Sequence, residues 1–169
     1  MPVTLHTQRL LLRPFTLDDA EAFFPLMALP QVVRYVGNKP VTSVQQVREY
    51  LAQHPLEDYR HYGYGRLALI EQDSQRLIGF SGIKFIPEIQ LPELGYRLLP
   101  EFWGQGLATE AGMAVLGWAQ QLRLTELVAL IHPQNQGSKA VVAKLGFQFQ
   151  QSIQYSLLEQ DTELWCKQI

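Results

Sequence analysis

The amino-acid sequence predicts an α/β (α+β) fold in which one mixed sheet of about seven strands carries helices on both faces. Segments with strand character and segments with helical periodicity follow one another in the order strand, two helices, three strands, helix, strand, helix, two strands. Neither an internal repeat nor a low-complexity linker interrupts this order. We therefore expect residues 1–169 to form a single domain.

The first strand and the first helix are marked by their end signals. A strand is expected over Thr7–Phe15, closed by Pro14. Thr16 then supplies the N-cap of a helix over Leu17–Leu29, and Pro30 is expected to end that helix.

A second helix is expected after a turn over residues 37–40. Thr42 and Gln45 match the pattern of a capping box at its start, and Pro55 is expected to end it. Residues 55–65 are then expected to form a loop. The apolar face of this helix contains Val44, Val47, Tyr50 and Leu51.

The rest of the chain contains six further strand-like segments and two helical ones. A polar loop at residues 72–75 joins the first two of these strands, which predicts an antiparallel hairpin. Helical periodicity runs from Leu107 to Trp118, and a last helix is expected over Asn135–Leu145. The expected strands are Arg66–Glu71, Leu77–Phe85, Glu93–Leu99, Glu126–Ile131, Phe147–Tyr155 and Thr162–Lys167.

Composition and charge exclude several classes of function. The chain is 47% hydrophobic and 18% charged, with a formal net charge of −2, so a broad basic surface for nucleic acid is not expected. Cys166 is the single cysteine, which excludes an intrachain disulfide, and the four histidines lack zinc-ligand spacing. We expect no metal. The apolar run Leu10–Leu12 is too short for a signal peptide or a membrane span, so the cytoplasm is the expected location.

A glycine-rich turn lies between an expected strand and the following helix. Glycines at 104 and 106 allow a sharp turn and a close approach to an anion, and the N-terminus of the helix favours negative charge. A Walker loop would need lysine and serine or threonine where Leu107 and Ala108 stand, and a dinucleotide fingerprint would need a small residue in place of Thr109. A connection that binds no ligand remains the alternative. The turn consists of Trp103, Gly104, Gln105, Gly106, Leu107, Ala108 and Thr109.

A second polar pair begins the last helix. Asn135 and Ser138 lie three residues apart at its first turn, where they are neighbours on the helix surface. Gly146 is expected to end the helix in a Schellman cap, in which Phe147 packs on Val142.

Together these segments resemble the GNAT acetyltransferase superfamily, and more narrowly its branch that acetylates the N-termini of ribosomal proteins. The resemblance spans nearly the whole chain and rests on the order and spacing of the segments. They are Thr7-Gln8-Arg9-Leu10-Leu11-Leu12-Arg13-Pro14, Glu93-Leu94-Gly95-Tyr96-Arg97-Leu98, Phe102 to Ala111, and Asn135-x-x-Ser138 leading to Lys144-Leu145-Gly146-Phe147.

The resemblance implies a mostly antiparallel, splayed sheet and acetyl-coenzyme A as co-substrate. Strands Glu93–Leu99 and Glu126–Ile131 would part to admit the pantetheine arm, which would pair with the backbone near Leu98 and Leu99. Residues 103–109 would hold the pyrophosphate, and Asn135 with Ser138 would contact the lower pantetheine. The expected acceptor is a primary amine, such as a protein N-terminus, and the expected assembly is a monomer or a homodimer.

The chemistry of acetyl transfer to an amine needs a proton acceptor, an oxyanion donor and a proton for the departing sulfur. Glu93 is the candidate base, and an exposed acid at a strand end is the structural alternative. The backbone N–H near Leu98 is the candidate oxyanion donor. Many superfamily members use a tyrosine acid at the position of Val142, so here that role falls to Ser138, another group or solvent.

A histidine, the single cysteine and an aromatic cluster are the remaining residues that could take part in a site. His132 lies beside a strand end, where a lone histidine is more often structural than catalytic. Nothing around Cys166 indicates a nucleophile. The aromatic cluster Tyr59, His61, Tyr62 and Tyr64 could line an acceptor pocket or cover an edge of the sheet.

Two other functions remain open. One is a coenzyme A binding module without catalysis, which the valine at 142 permits. The other is an acetyltransferase for small amines such as antibiotics or polyamines, which would share the fold and differ in the acceptor pocket.

Overall fold

The computed structural model of the protein describes residues 3–36, 39–154 and 161–169. The predicted turn at residues 37–40 and the end of the strand predicted to reach Tyr155 lie partly outside these residues. Within the described ranges, no helix is long and apolar enough to cross a membrane.

The described residues form one eight-stranded sheet in the order β1-β2-β3-β4-β5-β6-β8-β7. Neighbouring strands pair antiparallel except β5 and β6, which are parallel, so the predicted mixed sheet is confirmed. The eighth strand is the short β1, which the sequence did not predict. The strands are β1 Leu5–His6, β2 Leu10–Pro14, β3 Arg66–Glu71, β4 Leu77–Ile86, β5 Leu91–Leu98, β6 Glu126–Ile131, β7 Gln148–Gln154 and β8 Asp161–Gln168.

Helices cover both faces of the sheet. Phe23 of α1 contacts Phe80 of β4 with ring centroids 6.1 Å apart, which places α1 on one face. On the other face, α5 packs against β4 and β5 and also contacts α6. The helices are α1 Ala20–Ala28, α2 Pro30–Val33, α3 Val44–Gln53, α4 Pro55–Tyr62, α5 Leu107–Gln121 and α6 Gln136–Lys144.

The N-terminal strand is shorter than predicted. Residues 7–9 form a turn between β1 and β2, because the Thr7 hydroxyl accepts a hydrogen bond from the Leu10 N–H at 2.9 Å. This turn carries the Thr7 and Arg9 side chains toward the start of α5.

Two prolines begin helices that the sequence did not predict. Pro30 and Pro55 do end the preceding helices, but each also occupies the first turn of a new one, α2 and α4. Proline suits this position because its fixed φ is helical and its missing N–H would have no helical partner. The expectation of a loop over residues 55–65 is therefore wrong.

The capping box of α3 lies one residue later than predicted. Ser43, and not Thr42, is the N-cap, and its hydroxyl accepts from the Gln46 N–H at 3.3 Å. Gln46 in turn accepts from the backbone N–H groups of Thr42 and Ser43. The sequence offered two overlapping Ser/Thr-x-x-Gln patterns, and the backbone geometry selects the second.

The end of α6 confirms the predicted Schellman cap. Gly146 has φ = 89°, its N–H donates to the Ala143 carbonyl at 3.0 Å, and the Phe147 N–H donates to the Val142 carbonyl at 2.9 Å. Phe147 and Val142 are both buried. The cap fixes where β7, the edge strand next to β8, begins.

We expect Gly146→Ala to lower the free energy of unfolding by about 1–2 kcal/mol, because an L side chain resists the left-handed conformation. Gly117→Ala is the matched control: it lies inside α5, where a Cβ would meet open space among the described residues. Alanine there should raise stability by about 0.5–1 kcal/mol. Urea unfolding followed by circular dichroism measures both changes. Equal effects of the two variants would contradict the left-handed cap.

Candidate active site

The central feature of the site is a cleft between the parallel strands β5 and β6. Their only register pair in the described chain is Glu93 with Val128, after which the strands separate. The carboxyl ends of both strands point the same way, so the N-termini of the helices that follow them, α5 and α6, lie at the same open end. Such an edge is where open α/β sheets bind ligands.

The backbone of β5 presents hydrogen-bonding groups to this cleft. The Leu99 N–H donates to the Ile78 carbonyl on β4 at 2.9 Å. Because backbone groups of an antiparallel strand alternate in direction, those of Tyr96 and Leu98 point away from β4 and toward β6. The Leu98 carbonyl accepts from the Trp103 indole at 2.9 Å. The N–H of Leu98 therefore points into the cleft and is available to a ligand.

Leu99 does not offer the cleft the same groups. Its N–H is used by Ile78, and its carbonyl accepts from the Phe102 N–H at 3.0 Å. Its side chain is buried. The expected pairing of Leu99 with an extended ligand is therefore not supported by this geometry.

The turn that follows β5 has the conformation expected of an anion site. Gly104 and Gly106 have φ = 71° and 79°, a region that favours glycine. Gly106 is the N-cap of α5, and its carbonyl accepts the first helical bond, from the Glu110 N–H at 3.0 Å. The N–H groups of Leu107, Ala108 and Thr109 thus have no helical partner. They remain available to a negatively charged ligand.

Trp103 contributes differently from the rest of the turn. Its backbone N–H donates to Pro100 at 3.1 Å and its indole to Leu98, so both of its donors are used within the chain. Its ring is 50% exposed at the end of β5. It can offer a ligand contact area but no free N–H.

A hydrogen-bonded network fixes the turn from outside. The Arg9 side chain donates to the Gln105 carbonyl at 2.9 Å through Nη1 and to Glu110 Oε2 at 2.7 Å through Nε. In a trans peptide the C=O and the following N–H point in opposite directions. By holding the Gln105 carbonyl, Arg9 therefore directs the Gly106 N–H to the other side. Sequence reasoning gave Arg9 no role in the site.

Glu110 connects this network to the N-terminal turn. Its Oε1 accepts from the Thr7 hydroxyl at 2.6 Å and from the Arg9 backbone N–H at 2.8 Å. Burial tends to raise the pKa of Glu110, but the hydrogen bonds from Thr7 and Arg9 outweigh it and lower that pKa. The carboxylate also lies in the first turn of α5, where the helix dipole favours negative charge.

The start of α6 brings two predicted site residues together. The Asn135 side chain caps the helix, with its Oδ1 accepting from the Ser138 N–H at 3.1 Å. The Ser138 hydroxyl lies 3.0 Å from the phenolic oxygen of Tyr96 on β5, and this bond spans the cleft. Burial raises the pKa of Tyr96, although the hydrogen bond with Ser138 opposes the shift. Sequence reasoning did not single out Tyr96.

Glu93 is an ion-pair partner and not an exposed acid. It binds the Arg66 guanidinium, and the two side chains are 12% and 13% exposed. Arg66 reaches Glu93 by lying over Gly95, where a Cβ would come within 2.1 Å of Nη1. It also donates to the Gly82 carbonyl at 3.1 Å. A bulkier residue at position 95 would displace the guanidinium.

Further ionisable groups lie near this pair. Lys84 is the cross-strand partner of Glu93, and burial together with the charge of Arg66 lowers its pKa. Burial raises the pKa of Asp58 on α4, against the opposing charges of Lys84 and Arg66. This side of the sheet is therefore rich in partly buried charge of both signs.

Glu93 and Tyr96 point to opposite faces of the sheet, because side chains alternate along a strand and these two are three residues apart. Glu93 shares its face with Arg97, which donates to the Leu26 carbonyl of α1 at 3.1 Å. Tyr96 shares the other face with α6. Groups from both faces therefore flank the gap between β5 and β6.

The remaining candidates have structural roles. The Tyr59 hydroxyl accepts from the Phe15 N–H at 3.0 Å and donates to the Arg66 carbonyl, so it ties α4 to the sheet. His132 accepts from the Gln134 N–H at 3.0 Å and packs against Tyr35. Tyr62 stacks on Tyr64 with centroids 5.9 Å apart.

Neither a metal centre nor a nucleophilic cysteine is indicated. No group of three or more potential ligands among histidine, cysteine, aspartate and glutamate could hold a metal ion in the described parts of the chain. Burial raises the pKa of the Cys166 thiol on β8, which disfavours the reactive thiolate.

Comparison with known proteins identifies relatives of this fold and site. The profile of the acetyltransferase (GNAT) domain family matches residues 9–148. The N-acetyltransferase p20 of Bacillus licheniformis is 31% identical over 148 residues, which cover 86% of this chain and 82% of that protein.

Solved structures agree with this relationship. An acetyltransferase from Agrobacterium tumefaciens has a TM-score of 0.84 and 30% identity, with coverage of 98% of this chain and 94% of that one. RimL, a ribosomal L7/L12 α-N-protein acetyltransferase solved with coenzyme A, has a TM-score of 0.80 at 19% identity, covering 99% and 98% of the two chains. The RimL likeness bears on the fold alone.

We expect Glu110→Gln to destabilise the protein by about 1–2 kcal/mol at pH 7, because hydrogen bonds to a charged carboxylate are lost. The lowered pKa of Glu110 means that its stabilisation is present above the ordinary value near 4.5 and disappears as the pH falls through the lowered value. The difference between variant and wild type should therefore shrink below about pH 4. Urea unfolding at pH 7 and pH 3 measures it.

Glu101→Gln is the control for this prediction. Glu101 also pairs with an arginine, Arg76, but both side chains are at least half exposed. We expect little change in stability at either pH, since exposed ion pairs contribute little. If Glu110→Gln changes the free energy of unfolding as little as Glu101→Gln does, the network does not stabilise the turn.

Proposed function

Because this chain belongs to the GNAT acetyltransferase family, we propose that it transfers an acetyl group from acetyl-coenzyme A to a primary amine by direct attack in a ternary complex. The observation that carries the proposal is the gap between β5 and β6, which is flanked by side chains from both faces of the sheet and ends near the N-terminus of α5. A donor entering from the α5 and α6 face and an amine entering from the Glu93 face could meet within it.

The residues of the cleft fit coenzyme A. The left-handed turn at Gly104 and Gly106 and the free N–H groups of residues 106–109 suit a pyrophosphate. The cleft-facing backbone of Leu98 and Tyr96 suits an extended arm that carries amides, which would pair as an added strand does. When bound, acetyl-coenzyme A supplies the activated acetyl thioester. Asn135 and Ser138 would border the end of the arm.

The N–H of Leu98 is the proposed oxyanion donor. It points into the cleft from a strand that β4 holds in register, so it needs little reorganisation. Being a backbone group, it does not depend on side-chain identity.

Glu93 is the proposed proton acceptor for the amine. Arg66 binds one carboxylate oxygen, which orients the group and leaves the second oxygen for an amine or a water molecule. An α-amine, with a pKa of about 8, is more readily deprotonated than a lysine side chain near 10.4. A carboxylate base therefore favours an α-amine, and a protein N-terminus is the acceptor that we propose.

The proposal is tested by thiol release from acetyl-coenzyme A in the presence of an amine panel, with coenzyme A binding measured by calorimetry. The panel contains peptides with free and blocked N-termini, peptides whose lysine is the single amine, and small polyamines. We expect binding, and turnover that requires a free α-amine. Binding without turnover on any amine would indicate a non-catalytic module, and turnover confined to polyamines would indicate a small-molecule enzyme.

The same assay tests Glu93. We expect Glu93→Gln to lower kcat by about 100-fold, the lower end of the range for loss of an acid or base. Glutamine keeps a hydrogen-bond acceptor for Arg66 but removes the counter-charge of a buried guanidinium, so stability should fall while coenzyme A affinity changes little. A variant with full turnover would exclude Glu93 as the base.

Arg9 gives a prediction that separates binding from chemistry. If Arg9 orients the Gly106 N–H toward a pyrophosphate, Arg9→Gln should raise KM for acetyl-coenzyme A about tenfold, or about 1.4 kcal/mol, with kcat nearly unchanged. S-acetylpantetheine lacks the pyrophosphate, so turnover with it should not change.

Arg60→Gln is the control for Arg9, because Arg60 forms an exposed ion pair with Glu57 on α4. It should leave the KM for acetyl-coenzyme A unchanged. An equal loss of activity by Arg9→Gln with both donors would mean that Arg9 supports the fold and not the turn.

A further inference from the structure

Acetyl transfer to an amine requires a proton donor for the departing sulfur, because that sulfur carries the electron pair of the broken carbon–sulfur bond. The structure shows two hydroxyl groups at the cleft that could supply it, those of Tyr96 and Ser138, which lie 3.0 Å apart. They come from β5 and α6, 42 residues apart in the chain.

The α6 side of the cleft supplies no phenol of its own. Val142 is buried at 2% exposure and takes part in the Schellman cap, so it faces the core. Ser138 lies one turn earlier, where its backbone N–H donates the capping bond to Asn135 Oδ1. Tyr96 reaches this point from the opposite side of the cleft.

Tyr96 is held by its backbone and by its side-chain hydroxyl. Its backbone belongs to β5, which pairs with β4 from Leu91 to Leu98. Its hydroxyl contacts Ser138, and burial keeps its pKa above the ordinary value, so the phenol is protonated at neutral pH.

We propose that Tyr96 is the general acid of the reaction and that Ser138 relays a proton to it. This inference rests on the proposed acetyl transfer. As the carbon–sulfur bond breaks, the Tyr96 hydroxyl donates its proton to the sulfur, Ser138 passes its own proton to the phenolate, and solvent restores the serine. The neutral amine loses one proton as it attacks, and this proton passes to Glu93 and then to solvent, which balances the proton delivered to sulfur; an amine that arrives as ammonium releases one further proton to solvent.

The two hydroxyls are not equivalent in this scheme. A free phenol has a pKa near 10, which is closer to the pKa of a thiol, about 8.5, than the pKa of an alcohol is. Tyr96 is therefore the stronger acid of the pair. A serine hydroxyl both donates and accepts and rotates freely, which suits a relay. Loss of Ser138 should therefore be less severe than loss of the phenol.

The first measurement is steady-state turnover of Tyr96→Phe and Ser138→Ala. We expect Tyr96→Phe to lower kcat by about 100-fold with KM for acetyl-coenzyme A unchanged, and Ser138→Ala to lower it by about tenfold. Tyr50→Phe is the matched control, since Tyr50 stacks on Phe23 on the opposite face of the sheet. It should retain wild-type turnover.

The second measurement does not depend on turnover. The thiolate of bound coenzyme A absorbs in the ultraviolet, so the pKa of its thiol can be titrated in the complex. A phenol that donates to the sulfur stabilises the thiolate and lowers this pKa. We expect Tyr96→Phe to raise it by about one unit and Tyr50→Phe to leave it unchanged.

The outcomes separate this inference from the proposed function. Wild-type kcat and an unchanged thiol pKa in Tyr96→Phe would overturn the role of Tyr96 while leaving acetyl transfer intact. A parallel loss of coenzyme A affinity, kcat and stability would assign Tyr96 to packing. If wild type binds coenzyme A but acetylates no amine, the proposed function fails, and the thiol titration still decides whether Tyr96 contacts the sulfur.

Discussion

The separation of β5 from β6 is the feature on which the rest of the site depends. Parallel strands normally pair along their length, but here one register pair, Glu93 with Val128, holds them before they part. Backbone groups that face such a gap lose their strand partners, and burying them unpaired would be unfavourable. The antiparallel partners β4 and β8 keep both strands in place. The gap thus persists as a slot that an extended polar ligand can fill.

The candidate residues beside this gap are divided between the two faces of the sheet. The turn at residues 103–109, α6 and Tyr96 belong to one face, whereas Glu93 and Arg66 belong to the other. This division between two faces is what the proposed ternary complex requires, in which donor and acceptor would approach the gap from opposite sides.

Local features of the site could be predicted from the sequence, whereas its contacts between residues distant in the sequence could not. The left-handed glycines at 104 and 106 and the cap at Gly146 follow from rules that involve a few neighbouring residues. The partners of Glu93 and Ser138 lie 27 and 42 residues away, and Arg9 and Glu110 are 101 residues apart. These contacts depend on strand register and helix placement, and no motif in the sequence indicates them.

The register between β4 and β5 determines which face of the sheet carries Glu93 and which carries Tyr96. A slip by one residue would exchange the faces of Glu93 and Tyr96 together. Gly82 pairs with Gly95, and a Cβ at either would clash, with the β3 backbone at Gly82 and with the Arg66 guanidinium at Gly95. Arg66 can therefore reach Glu93 only where these glycines are aligned. The ion pair thus orients a carboxylate and also stabilises the register that places Tyr96 opposite Ser138.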